Sequence, residues 1–406
     1  MKPLADAQRE VLAGVARLEA VDVELRAALG LVLAEDVIAP HDVPPFANAA
    51  MDGFAVMGAD VAAAGVELEI LEDLAAGHVA SAAVRPRTAI RIMTGAPLPA
   101  GADTVVRVED TESDDRRVRI AVPVPTGTAV RAAGGDVTAG SVVFRTGTVL
   151  APAHVGVLAT IGVTRPRVFR NPRVAIMSTG DEVVPPETAT LAPGTIRDAN
   201  RPLLAGLLAE VGVDIEDFGI VGDDRDRLRS MLASAASDCD VVVSSGGVSM
   251  GDYDLVKHVL AELGSVELWK VAMQPAKPFA FGSIEGTPLF GLPGNPVSVI
   301  VAFENFLRPA LLAMRGCQRL FRPLSMGVWA ETVETDPAKT VFLRVVRVEG
   351  GVRLAGGQDS NVLSATANAD AWAVVGTGIG KMEAGEAVPL LEIRLPASRT
   401  YLEVLA

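Results

Sequence analysis

The residues best equipped for chemistry lie in Ser244–Asp254, SSGGVSMGDYD. Gly246 and Gly247 let a backbone turn and approach a ligand closely, and Ser244, Ser245 and Ser249 supply hydroxyls. A helix predicted to follow the loop offers free N–H groups to a phosphate. The stretch therefore reads as an anion cradle without a Walker lysine, although a Gly-Gly pair also serves a plain strand-to-helix turn. Carboxylates gather in sequence around similar loops: Asp181, Glu182, Asp223, Asp224, Asp252 and Asp254. Such oxygens suit Mg²⁺, which bridges carboxylates to phosphate, with Glu182 and Asp254 the stronger candidates. Asp223 and Asp252 better suit a helix N-terminus or solvated loop, where negative charge meets the helix dipole. Lys277 stands between prolines in QPAKPFAFG, which aims one cation at a fixed place. In LPGNPVS, Pro293, Gly294 and Pro296 stiffen a turn that leaves Asn295 and Ser298 to a ligand.

Gly247, Ser249 and Gly251 also spell GxSxG, the nucleophile elbow of α/β-hydrolases. That chemistry needs an acid and then a histidine after the serine, and His258 alone follows, on the adjacent predicted helix. The four histidines show no paired metal spacing, and the two cysteines make neither a disulfide framework nor a zinc site.

These loops need strands and helices to place them. From Arg173 the pattern alternates: a strand at Val174–Met177, a helix over 201–211 ended by Gly212, a strand at Phe218–Val221, then a helix behind Asp223 and Asp224. A strand at Asp240–Ser244, a helix at Tyr253–Leu263, and strands at Val266–Val271 and Thr287–Leu292 follow, before a long apolar helix ending near Gly316. Alternation of this kind predicts a doubly wound parallel sheet with ligands at the carboxyl ends of its strands. Earlier, a helix over 4–19 leads into β-rich, Gly- and Pro-broken segments from about 54 to 140, with helical spacing returning near 155–162. After Pro323 the helical signal gives way to SMGVWAETV, TVFLRVVRV and GVRLAG, a predicted β-barrel or sandwich with a turn at Gly350 and Gly351.

A chain of 406 residues exceeds one ordinary core, so several domains are expected. The formal charge of −14 opposes nucleic-acid binding, and an anionic ligand must be held by backbone amides, a few cations or a bridging metal. No run reaches the ~20 apolar residues of a membrane span, the N-terminal stretch lacks a signal-like core, and sparse cysteine suits a reducing cytoplasm.

Seven stretches in order resemble the molybdopterin molybdenumtransferase family, called MoeA in bacteria and the gephyrin E domain in animals. They are PPFANAAMDGFAV from Pro44, RIMTGAPLPAGADTVV from Arg91, AGGDV around Asp136, MSTGDEVV from Met177, SSGGVSMGDYD from Ser244, KPFAFG from Lys277 and GLPGNPVS from Gly291. The resemblance implies a multidomain α/β plus β fold: an N-terminal mixed segment (1–48 and 141–170), an inserted β domain (49–140), a doubly wound MogA-like α/β domain (171–320) and a C-terminal β-barrel (321–406). It implies insertion of molybdenum from molybdate into adenylylated molybdopterin with release of AMP, Mg²⁺ or a similar divalent cation as cofactor, and a homodimer with a site shared between subunits. A molybdopterin adenylyltransferase is an implied partner. Roles are implied for Asp52, Thr94, Asp136, Glu182, Asp254, Lys277, Pro293 and Pro296, with Asp136 and Asp224 joining Glu182 and Asp254 as metal candidates. Gln274 stands where some relatives carry a lysine, and Ala276 replaces a common Gly; Ala47 and Ala49 replace polar residues. The rival readings are adenylyltransferase activity on a lone α/β domain and a non-enzymatic scaffold.

Overall fold

The computed structural model describes residues 1–246, 258–259 and 262–393. The chain divides into two units: residues 22–29 with 33–168, and residues 1–21, 30–32 and those described from 169 onward. Helix α1, Leu4–Ala13, buries Ala7 and Val11 in the main core of the second unit.

The inserted unit is built on a six-stranded sheet of β1 (Gly53–Val56), β2 (Val66–Leu74), β3 (Thr88–Ile92), β4 (Thr104–Arg107), β5 (Thr111–Ser113) and β6 (Arg117–Ile120), in the order β4-β1-β3-β2-β6-β5. Alternate residues serve opposite faces, as strand geometry requires: Phe54 and Val56 enter one cluster and Ala55 the other. Helix α2, Pro152–Thr160, answers the helical spacing predicted near 155–162.

The α/β region contains β7 (Arg173–Thr179), α3 (Asn200–Val211), β8 (Asp214–Val221), α4 (Arg225–Asp238), β9 (Val241–Ser245), β10 (Gly264–Lys270), β11 (Pro278–Ile284), β12 (Thr287–Leu292), α5 (Pro296–Ala302) and α6 (Arg308–Met314). The sheet runs β8-β7-β9-β12-β11-β10. Strands β8, β7, β9 and β12 are mutually parallel. Val174, Ile176, Val241 and Val243 face the cluster that takes Leu204 and Leu208 of α3. Ala175, Met177 and Val242 face Leu228 and Leu232 of α4. Helices thus cover both faces, as the alternation predicted.

The sheet is mixed, which corrects the all-parallel expectation. β11 runs antiparallel to both β12 and β10. The KPFAFG motif, to which the sequence reading assigned no element, is mostly strand, and it forms a hairpin with β12 through Glu285 and Gly286, both at positive φ (50° and 90°). Two successive positive-φ residues make the primed turn that matches strand twist, and two apolar runs separated by two residues are its sequence sign. Glutamate at the first position hides that sign. The helix predicted at Tyr253–Leu263 falls largely outside the described residues.

Helices α5 and α6 join through a π-helical turn at Phe303–Leu307 into one 19-residue apolar helix, of which 83% of the most apolar window is buried. Length and composition alone would let it cross a membrane; its burial is that of a core helix.

The C-terminal strands are β13 (Leu324–Val328), β14 (Thr340–Val348), β15 (Gly351–Leu354), β16 (Ala371–Val375) and β17 (Ala387–Glu392), ordered β14-β16-β17-β13, with β15 and the short parallel strand Met273–Gln274 both pairing β14 on its other side. A bridge from Trp329 to Val352 joins the continuation of β13 to β15, and Ala330 N–H donates to Val352 O at 2.8 Å. That contact closes the barrel around Val341, Leu343, Val345, Val352 and Leu390. A short helix at Leu363–Ala367 interrupts the strands and was not predicted.

Because Glu285 sits in the left-handed region, Glu285→Asn is expected to stabilise the chain by about 1 kcal/mol and Gly286→Val to destabilise it by at least about 1 kcal/mol. Urea unfolding of both variants checks this.

Candidate functional site

The carboxyl ends of β7, β9 and β12 finish level with one another. Ser178 pairs with Ser245, and Ser244 and Ser245 pair with Gly291 and Leu292. Thr179 meets Val221 at the end of β8. Four loops therefore leave one edge of the sheet: Gly180–Glu182, Gly222–Asp224, the chain after Ser245, and Pro293–Pro296. This is the edge where α/β sheets bind ligands.

Small polar residues end these strands where larger apolar residues fill their middles. Ser178, Ser244 and Ser245 are 2%, 1% and 2% exposed. Among the described residues the hydroxyls of Ser178 and Ser244 are buried without a hydrogen-bond partner. A buried hydroxyl without a partner costs free energy, so these positions favour a polar ligand or bound water. Gly246 has φ of +91°, and a Cβ there would stand 2.7 Å from Thr179 O. Only glycine fits that turn, whose N–H donates to Leu292 O at 3.1 Å.

Pro293 is buried, Gly294 and Asn295 are exposed, and Pro296 occupies the first turn of α5, with Ser298 buried behind it. Asn295 Nδ2 donates to Ser360 Oγ at 2.7 Å, fixing this turn to the segment before Leu363. Arg344, 1% exposed, supports the same segment by donating to Gly357 O (2.8 Å) and Asp359 O (3.2 Å). Burial pushes its guanidinium down.

The acidic side of the edge is organised through Asp181, whose Oδ1 accepts the Asp223 N–H at 2.8 Å. The Asp223 carboxyl is pushed above its ordinary value, first by partial burial and then by the charges of Asp181 and Glu182. Asp224, expected as a metal ligand, is the N-cap of α4, its Oδ1 accepting the Arg227 N–H at 2.9 Å. Among the described residues no group of three or more His, Cys, Asp or Glu side chains is gathered to hold a metal on protein ligands alone. Gly247, Ser249, Gly251, Asp252 and Asp254 lie outside the described residues.

Lys277 is exposed at the start of β11, and its carbonyl accepts the Val271 N–H. Lys339, which the sequence reading missed, reaches Gln274 Oε1 at 3.3 Å and pairs with Asp336 at 2.6 Å. An ammonium thus approaches position 274, where the side chain itself is uncharged. The Asp336 carboxyl is held down by Lys339 first, with Lys277 adding to the effect. Ala276, noted as replacing a glycine, has φ of +70°.

In the inserted unit, Asp52 Oδ1 accepts both the N–H and the hydroxyl of Thr94, each at 2.7 Å. These two bonds hold the Asp52 carboxyl below its usual range. Both residues are exposed, as is Asp136, whose N–H donates to Val43 O at 2.9 Å.

An acid whose folded pKa is raised contributes stability below its unfolded value and loses it as pH rises. Asp223 should therefore destabilise the chain slightly as pH climbs above 3.8. Asp223→Asn should flatten that dependence in thermal unfolding scans taken across pH 3.5–7 (about the carboxylate titration range); an unchanged profile would remove Asp223 from the coupled acidic group.

Comparison with known proteins follows the whole chain. Residues 2–162 match the MoeA N-terminal region (domain I and II), residues 175–313 a "Probable molybdopterin binding domain", and residues 327–393 the MoeA C-terminal region (domain IV). Molybdopterin molybdenumtransferase 2 of Mycobacterium tuberculosis is 35% identical over 85% of this chain and 88% of its own length. The molybdopterin molybdenumtransferase of Haemophilus influenzae is 32% identical over 90% and 92%. The crystal structure of the molybdopterin biosynthesis MoeA protein from Pyrococcus horikoshii superposes with a TM-score of 0.84 at 28% identity, covering 96% of this chain and 99% of that one. Agreement of this extent in sequence, domain content and fold shows that the chain belongs to the MoeA family of molybdopterin molybdenumtransferases.

Proposed function

We propose that the chain inserts molybdenum from molybdate into adenylylated molybdopterin as part of molybdenum cofactor synthesis. Water cleaves the phosphoanhydride, AMP leaves, and molybdopterin keeps its own phosphate while its dithiolene sulfurs displace an oxo group of molybdate, which leaves as water with the two thiol protons, with no change of oxidation state. The observation that carries this reading is the level edge formed by β7, β9 and β12, with the buried, unpartnered hydroxyls of Ser178 and Ser244 among the described residues. Small side chains and a Gly246 that admits no Cβ leave room for phosphate against backbone. No protein sulfur or imidazole is required at the metal, because the pterin dithiolene supplies the sulfur ligands.

The acidic side suits a hard divalent cation such as Mg²⁺, which is commonly held by one or two carboxylates and completed by substrate phosphates. One or two of Asp181, Glu182 and Asp223 would hold it together with substrate phosphates; it would offset phosphate charge and the like-charge repulsion that adds to burial in raising the Asp223 carboxyl. Asp254 joins this set in the sequence reading. Lys277 and Lys339 supply cationic character on the barrel side, suited to the molybdate oxyanion. We further propose that the chain acts as a cytoplasmic homodimer in which the Asp52–Thr94 pair serves the site of the second copy, and that it receives substrate from a molybdopterin adenylyltransferase.

Incubation with adenylylated molybdopterin, molybdate and Mg²⁺ should release AMP and yield cofactor able to activate a molybdoenzyme apoprotein. Lys277→Ala is expected to lower insertion by about 100- to 1,000-fold, the scale on which one preorganised charge-stabilising group is lost. AMP release without metal insertion, or net formation of adenylylated molybdopterin from molybdopterin and ATP, would overturn the reading.

A further inference from the structure

Asn200 opens α3 and was not singled out from sequence. Its one carboxamide nitrogen donates to Ser245 Oγ at 2.7 Å and to Gly294 O at 2.6 Å. The first acceptor ends β9 and the second lies in the turn between β12 and α5. A single side chain thus spans two of the strand-end loops, using both of its N–H bonds. Among the described residues its Oδ1 is buried and takes no partner.

The helix start that carries Asn200 is itself fixed. Asp198, 5% exposed, accepts the N–H groups of Asn200 and Arg201 at 3.1 Å each. Arg201 Nε lies 3.5 Å from the other Asp198 oxygen and 3.3 Å from Asp217 at β8. On the far side of the turn, Asn295 is held by Ser360. The Gly294 carbonyl is therefore held by the Asn200 amide, while the next residue, Asn295, is held by Ser360.

The in-register pairing of β9 and β12 sets where their strands end, but backbone pairing stops at Ser245 and Leu292. Beyond that point only the Gly246 N–H to Leu292 O bond and the Asn200 clasp tie these two loops to each other among the described residues. We propose that Asn200 is a positioning residue for the reaction: it fixes the spacing between the β9 and β12 loops so that both meet one phosphate-bearing ligand at once. This rests on the phosphate-binding reading of the edge given above. Positioning matters because misplacement of about 1 Å costs roughly 100-fold in rate.

The test uses the full chain, with Asn200→Ala and the nearly isosteric Asn200→Asp, which keeps the shape and removes both donors. Hydrogen exchange of the Gly246 amide, read without ligand, should speed by at least about tenfold in both variants. In steady-state AMP release from adenylylated molybdopterin with molybdate and Mg²⁺, kcat should fall by about 10- to 100-fold while KM changes less. Ser245→Ala added to Asn200→Ala should cost less than Ser245→Ala alone, since the two share one bond. Unchanged Gly246 exchange together with wild-type kcat, or a strictly multiplicative double variant, overturns the clasp. A wild-type chain that releases no AMP while Gly246 exchange still responds to Asn200 rejects the substrate reading and supports the clasp.

Discussion

The structure depends first on the in-register parallel pairing of β7, β9 and β12. Because Ser178, Ser245 and Leu292 stand abreast, three loops separated by long stretches of chain emerge at one edge. Strand interiors of Val, Ile and Phe fix that register by burial on both faces, since a slip of one residue would exchange the faces. Polar residues appear only where the pairing ends. Sheet energetics and site location are thus consequences of the same alternation, with helices α3 and α4 completing the two faces.

The net charge of −14 and the anionic ligand proposed for this edge can be reconciled locally rather than by a basic surface. On one flank the Asp223 N–H donates to the Asp181 carboxylate, and the Asp223 carboxyl is raised first by partial burial and then by its acidic neighbours, a setting that favours a proton or a cation. On the other, Lys339 comes to Gln274 from the approach to β14. Backbone turns supply the rest, and Gly246 is the position where a side chain would close the space.

Much of the fold was legible because burial imposes periodicity. The 3.6-residue spacing of Leu204, Leu208 and Val211 marks α3, and the Asp224 cap marks the start of α4. The runs around Val241–Val243 and Thr340–Val348 mark strands. The β11–β12 hairpin was harder to see, because its turn uses Glu285 at positive φ where Asn or Asp would announce it. Reversal of β11 follows from that short turn, since only antiparallel neighbours can be joined so tightly. Site residues separated the same way. Gly246, Asn295 and Ser298 were picked as candidates from glycine and proline spacing, whereas the contacts of Asn200 and Lys339 are made only by tertiary folding. Neither belongs to a local pattern. Asp224 shows the converse, its carboxylate being committed to a helix cap.

The level edge of the parallel sheet is where we propose that the phosphates bind. Hydrogen–deuterium exchange of the chain with and without adenylylated molybdopterin, in the presence of Mg²⁺, tests it most directly. Ligand protection is expected to concentrate in 178–182, 222–224, 244–246 and 292–298. Protection confined to other regions, with these four loops unchanged at saturating ligand, would contradict it.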